Sequence, residues 1–298
     1  MPAWLAPYSS IVTLLTGIPA LVYFVFDLVT LRGAKSDAVL FSAVGLELLA
    51  LFAWIWYREI RTARKYKFHL AVANLHEAIH SLRDLTTYIA ERRNSNKDAP
   101  LSKTEMEAVQ SLCLGHFVRV LDQIVLAYSI VSSGKIRTAI KAIFEHDGKF
   151  YVYAFARDTS SFRECKEKDN TRMLERRDPL EENEDFDIIY SNDERCFCDG
   201  DISSRDGYRT SSFKTYGAKL SYRSVFVWPI RQGHSPELPL QSRRCLGFLA
   251  VDSDRKNAFS RGTDFPIGAA VADALYHPLM LLNKLNTESG NGSGASHG

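Results

Sequence analysis

Ser224-Val-Phe-Val-Trp-Pro-Ile-Arg231 and, after a loop, Cys245-Leu-Gly-Phe-Leu-Ala-Val-Asp252 are the stretches from which the fold is read. Both are short apolar runs rich in β-branched and aromatic residues, the composition of strands. Downstream of them, residues 264–285 have the length and pattern of a closing helix. Upstream, Met106, Val109, Leu112, Cys113, Phe117, Val120, Leu121, Ile124 and Tyr128 make a wide apolar stripe at helical spacing from Lys103 onward. Residues 136–144 and 150–156 alternate around the turn His146-Asp147-Gly148 and predict a β-hairpin. A charged, irregular excursion spans 157–223, with a short helix expected at 179–190 and a strand at 195–198. Helix, two strands, long excursion, two strands and helix give an α+β domain with one antiparallel sheet flanked by helices.

The run Tyr222-Arg-Ser-Val-Phe-Val-Trp-Pro-Ile230, then Leu246-Gly-Phe-Leu-Ala-Val-Asp-Ser253, Phe259 and a long terminal helix resembles the second half of a GAF domain. The hairpin at 139–156 and the helix before it suit the first half, so the resemblance covers residues 101–285. It implies a small-molecule sensor that holds its ligand between one sheet face and the excursion, and that dimerises through its terminal helices. Asn257-Ala258-Phe259 and Asp264 lack the Lys and the adjacent Glu of cyclic-nucleotide GAF domains. Cys196-Phe197-Cys198 has no neighbouring His of the kind that accompanies a bilin attachment cysteine. That pair is similar to the loop cysteines of GAF-type methionine sulfoxide reductases. Two thiols so placed are redox-active when a thiolate is stabilised, and otherwise are half-buried structural groups.

For the ligand pocket the residues singled out are Arg157, Phe186, Tyr190, Asp199, Tyr222, Trp228 and Asp252. The aromatic residues offer stacking surfaces, the arginine a fork for phosphate or carboxylate, and the aspartates acceptors for a base or ribose. Against this stands the plainer reading that Trp228 and Phe186 are core and that Asp252 caps a strand end. Arg195, Arg209, Arg223, Phe197, Tyr208 and Tyr216 are further candidates of the same types.

Before the domain, residues 9–30 and 37–57 are apolar and flank the polar turn Leu31-Arg-Gly-Ala-Lys-Ser36. At about 1.5 Å per residue each reaches about 30 Å as a helix, the thickness of a bilayer's hydrocarbon core. Arg58, Arg61, Arg64, Lys65 and Lys67 crowd the exit, so the positive-inside bias predicts a two-pass inner-membrane hairpin with both termini cytoplasmic. The basic cluster suits anionic lipid headgroups. Glu47 falls at the middle of the second span, where an ionised carboxylate is costly, and is expected either to fix helix packing or to line a conduction path. Phe68, Val72, Leu75, Ile79, Leu82, Thr86 and Ile89 are spaced alternately by four and three, which predicts a coiled-coil homodimer or higher oligomer. An amphipathic helix lying on the next domain shows the same spacing. His76 and His80 lie one turn apart, but no carboxylate or cysteine completes a ligand set, and they read as a solvated pair. No metal site is expected.

The resulting organisation is a two-helix anchor at 1–57, a basic and coiled-coil connector at 58–100, a GAF-like domain at 101–285 and a disordered Gly/Ser-rich tail at 286–298. A net charge of +2 gives no broad basic field, so nucleic acid is not an expected partner. Five cysteines without paired spacing argue against a disulfide framework. No Walker loop, dinucleotide turn, zinc-hydrolase spacing or nucleophile elbow occurs, so the chain is expected not to be an enzyme, and no cofactor is assigned. The leading expectation is a membrane-anchored sensor that passes ligand binding to its transmembrane helices, in one version as a membrane-disrupting defence effector. A tethered interaction module without ligand and a thiol redox enzyme are the alternatives.

Overall fold

The computed structural model describes residues 37–95, 101–132, 134–167, 177–211, 220–232 and 245–288. The first apolar stretch, the turn after it and residues 289–298 of the tail lie outside the described residues. The chain divides into two compact units, one ending at His69 and one beginning at Leu70.

In the second unit, six strands form one antiparallel sheet. They are β1 (Ile136–His146), β2 (Lys149–Arg157), β3 (Asp178–Pro179), β4 (Phe197–Asp199), β5 (Ser224–Arg231) and β6 (Cys245–Ser253), in the spatial order β3-β2-β1-β6-β5-β4. The β1–β2 turn is Asp147-Gly148 with φ of 51° and 72°, the left-handed pair that a two-residue hairpin of matching twist requires. Gly247 sits where a Cβ would come within 2.0 Å of the Lys141 carbonyl oxygen, so the Gly-x-Leu-x-Val-Asp run owes its glycine to the close approach of β6 to β1.

One face of the sheet carries Ile140, Phe226, Trp228, Ile230, Leu249 and Val251 and is closed by helices. Helix α2 (Lys103–Val131) begins with a capping box, in which Ser102 and Glu105 satisfy each other's backbone N–H groups. Its stripe from Met106 to Tyr128 is buried, as the spacing predicts, except Leu112, which is exposed. Helix α5 (Arg261–Glu288) packs beside it, and its Gly268 lies directly against the indole: a Cβ there would stand 2.2 Å from a Trp228 ring carbon. Three hydrogen bonds lock this face, from Tyr128 Oη to the Asp264 carbonyl at 3.0 Å, from Trp228 Nε1 to the Phe265 carbonyl at 3.2 Å and from Thr138 Oγ1 to the Leu121 carbonyl at 3.2 Å. Helices α2 and α5 are apolar and long enough to cross a bilayer, and each turns one stripe of that apolar surface into the core of the domain.

Helix α1 (Asp37–Ser95) is continuous for 59 residues. Between 70 and 95 its buried positions are Ala71, Leu75, Ala78, Leu82, Leu85 and Ile89, which join the same core, while Val72 and Ile79 are exposed. Three of the seven spaced positions, Leu75, Leu82 and Ile89, therefore belong to an intramolecular face, as in the alternative reading, and the coiled-coil expectation is not supported by them. Leu75, Leu82 and Ile89 turn toward the domain because its own core offers an apolar surface within the same chain. Arg92 to Glu105 at 3.2 Å and Ser81 to His116 at 3.3 Å tie α1 to α2. Considered alone, the first unit is α1 up to His69, and its Leu49, Leu51, Trp54, Trp56 and Tyr57 are all exposed.

Candidate ligand site

The opposite face of the sheet is built differently. Strand register pairs Arg137 with Asp252, Ala139 with Ala250 and Lys141 with Phe248, so these six share one face by the two-residue alternation of side chains. Arg157 on β2 pairs with Ala139 and joins them. The methyl groups of Ala139 and Ala250 make a low floor between two charged rows.

Over this floor lies the excursion. After the strand pair β2–β3 comes a single 3-10 turn at Leu180–Glu182, then α4 (Glu184–Asn192), then the loop through Tyr208. Helix α3 (Thr159–Glu167), also in the excursion, falls where the sequence reads as irregular. Its start is fixed by Asp122, which accepts from the Thr159 backbone N–H at 2.8 Å and from its hydroxyl at 2.7 Å. The loop is fastened to α4 by polar contacts. Arg205 Nε donates to Glu184 at 2.8 Å, Arg209 reaches Asp187 at 3.3 Å, and the Ser211 hydroxyl donates to Asn183 at 2.8 Å. An apolar cluster of Phe186, Phe197, Val225, Val227 and Phe248 fills one part of the interface, with Phe186 stacked on Phe248 at 4.8 Å.

The remainder is polar and titratable. Burial pushes the Asp185 carboxyl up to about 6, against the pull of the Phe186 backbone N–H and of the Lys141 charge. Burial, helped by the neighbouring Arg157 charge, brings Lys141 down to about 8. Asp252 is raised to about 6 by burial even though the Arg137 guanidinium donates to it at 3.3 Å. The phenols of Tyr208 and Tyr222 are raised by burial and by the Asp185 charge. Lys141 and Asp185 thus sit on either side of neutrality, an arrangement able to hold or move a proton near pH 7. Two buried polar atoms of this cluster, Arg157 Nε and Tyr208 Oη, make no well-formed hydrogen bond among the described residues, although the Tyr208 hydroxyl lies beside Asp185 and Tyr222. Lys141 forms no ion pair within 4.0 Å among them.

Of the residues singled out from sequence, the fold brings Arg157, Tyr222 and Asp252 together here. Asp252 is a partner of Arg137 and not a simple strand cap. Phe186 contributes to the apolar part of the roof. Tyr190 packs on Phe150 at 5.0 Å, near the β1–β2 turn. Asp199 lies on the edge strand, where it accepts from the Asp201 backbone N–H at 2.8 Å and from Arg205 at 3.3 Å. Trp228 is corrected: the two-residue alternation places it on the helical face, fully buried and stacked on Phe226 at 4.0 Å. Glu47 lies on α1, and its side chain is outside the described residues. The sequence reading missed Lys141, Asp185 and Arg137. For Lys141 a signal existed, a lysine that interrupts the apolar run from Ala139 to Phe144; Asp185 was hidden in the acidic run 181–187.

The same alternation sets Cys196 and Cys198 on the helical face, where both pack against the main core. Burial raises both thiols, although Arg261 beside them acts in the opposite direction. No group of three metal-ligating side chains occurs among the described residues. Two clefts of about 290 and 330 Å³ lie along α5, lined in part by Met280, Asn283 and Lys284 and by Arg231, Asp273 and His277, away from the polar cluster.

No family model and no curated protein matches this sequence. Solved structures do. A type II free methionine-R-sulfoxide reductase from Thermoplasma acidophilum is 15% identical, covering 59% of this chain and 96% of its own, with a TM-score of 0.39. The GAF domain of an Acinetobacter phosphoenolpyruvate-protein phosphotransferase is 12% identical over 69% of this chain and 97% of its own, with a TM-score of 0.38. A GAF domain/HD domain protein from Geobacter sulfurreducens is 12% identical over 63% and 99%, with a TM-score of 0.39. The six-stranded antiparallel sheet with its flanking helices is consistent with a GAF-like fold. One expectation is corrected by these comparisons. The absence of a catalytic motif does not make the chain a non-enzyme, since the similar structures include free methionine-R-sulfoxide reductases, which are enzymes.

Proposed function

We propose that this chain is a membrane-anchored signalling protein whose GAF-like domain takes a small polar molecule bearing a phosphate or carboxylate group between the sheet and the excursion. One observation carries the reading. Among the described residues Arg157 Nε and Tyr208 Oη are buried without a well-formed hydrogen bond, close to Lys141, which makes no ion pair within 4.0 Å among them, and to a floor of two alanines. Buried donors left unmet cost about 1–3 kcal/mol each, and an anionic ligand would recover that cost. Asp185 and Asp252 would accept from its neutral polar groups.

Anchoring is supported by the first unit. Residues 37–57 are apolar, Leu49, Leu51, Trp54, Trp56 and Tyr57 are exposed, and Arg58 and Arg61 follow at once. An aromatic belt followed by basic residues is the pattern of a span leaving the membrane on its cytoplasmic side. In this proposal α1 carries the ligand signal from the domain toward that span.

The test is thermal unfolding of the full chain in detergent against cyclic mononucleotides, cyclic dinucleotides, cyclic oligonucleotides and simple carboxylates. A ligand specific to the folded state, at a hundred times its dissociation constant, adds about 2.7 kcal/mol. Lys141→Ala and Arg157→Ala should each abolish the shift. Variants that bind as well as the parent chain would refute the site. Extraction of membranes with alkaline carbonate should leave the chain in the pellet, and its release would refute the anchor.

A further inference from the structure

On the outer side of α1, opposite the buried residues Leu75, Ala78 and Leu82, His76 and His80 project one helical turn apart. Their Nε2 atoms lie 2.8 Å from each other and the rings meet edge to face, with centroids 4.2 Å apart. Two imidazole nitrogens bound to one cation at about 2.0–2.1 Å stand about 2.9–3.4 Å apart in square or tetrahedral geometry. The pair is therefore within a few tenths of an ångström of a shared-cation arrangement. From these contacts we propose that His76 and His80 form an open two-imidazole clamp for a divalent transition metal of the zinc, copper or nickel class.

Imidazole donors select such metals over magnesium or calcium, which prefer oxygen. In the metal-free pair one Nε2 carries the hydrogen that the other accepts. On metal binding that ring takes the tautomer with hydrogen on Nδ1, so both nitrogens present lone pairs and no net charge is lost. The helix that holds the clamp is pinned by its apolar face, so little ordering remains to be done on binding. Asp84, the next polar side chain one turn along, is turned to Arg83 at 3.6 Å, and no third ligand completes a group among the described residues. Water or a second copy of the chain would fill the open positions.

The experiment titrates Zn2+ and Cu2+ into the full chain, purified without a histidine tag, by calorimetry, with Cu2+ electron paramagnetic resonance as a second readout. Saturable binding at one metal per chain, or one per two chains, with nitrogen hyperfine structure from imidazole, is the expected result. His76→Ala and His80→Ala should each weaken binding about tenfold or more, the scale on which perturbing a metal site is felt. Their metal-free melting temperatures should stay unchanged, because both side chains face away from the core. His116→Ala, whose ring is engaged with Ser81, should bind as the parent chain does. Absence of saturable binding, or binding undiminished in either His76→Ala or His80→Ala, would overturn the proposal.

Discussion

The two faces of the sheet come from the same six strands and yet have opposite characters. The helical face is closed by α1, α2 and α5, its polar atoms such as Trp228 Nε1 and Tyr128 Oη are matched to carbonyls, and its largest side chains are fully buried. The excursion face buries Asp185 and half-buries Lys141 and Asp252, and among the described residues it leaves Tyr208 Oη and Arg157 Nε without a well-formed hydrogen bond. A chain selected only for stability would not keep such a face, because each unmet buried group opposes folding. The contrast separates the surface that holds the domain together from the surface that retains chemistry at a cost in stability.

The largest expected effect falls on the helical face. Trp228→Ala removes an indole packed against Phe226 and Gly268, and should destabilise the domain by about 3–5 kcal/mol in urea unfolding. If it instead spares stability and removes ligand binding, the division between the faces is wrong. On the other face Asp185→Asn should act with the opposite sign. A carboxyl held at about 6, above its ordinary value of 3.8, binds more protons folded than unfolded between those values. Its contribution to stability is therefore lost as pH rises from about 4 to 6. The asparagine variant should be more stable than the parent by about 3 kcal/mol at pH 7.5, with the difference vanishing by about pH 4. Denaturant midpoints across that range check both the sign and the window. The smallest effect is expected for Tyr208→Phe, which deletes one buried hydroxyl without a well-formed hydrogen bond. Stability should change by less than about 1 kcal/mol, upward if at all, while affinity for the ligand falls. A loss of several kcal/mol would mean that the hydroxyl is satisfied in the ligand-free protein.

Much of the scaffold was legible because its signals are local. Asp147-Gly148 announces a two-residue hairpin turn by itself, and the stripe of α2 repeats on a helical period whatever lies against it. The runs at 224–231 and 245–252 needed only their composition to be read as strands. The site was legible only in part. Arg157, Tyr222 and Asp252 stood out as polar groups at strand ends, whereas Lys141 and Asp185 lie 44 positions apart in sequence and become neighbours only because α4 folds over the sheet. Trp228 was misplaced for the complementary reason. Its neighbours Val227 and Val225 are equally apolar, so composition does not say which row of a strand buried on both faces points to the helices.

Helix α1 shows the same limit. A four-three spacing records that one side of a helix is apolar, but not whether the surface it meets belongs to another copy or to its own chain. Here Leu75, Leu82 and Ile89 meet the core of their own domain, while Val72 and Ile79 are left outside. By itself the sequence determined the main elements, their order and the α+β class, though not α3 or β3, because propensity, period and turn chemistry act over a few residues. Only the tertiary structure decided which face of each element is buried, which charges become neighbours and which donors go unmet, because those depend on surfaces brought together from distant parts of the chain.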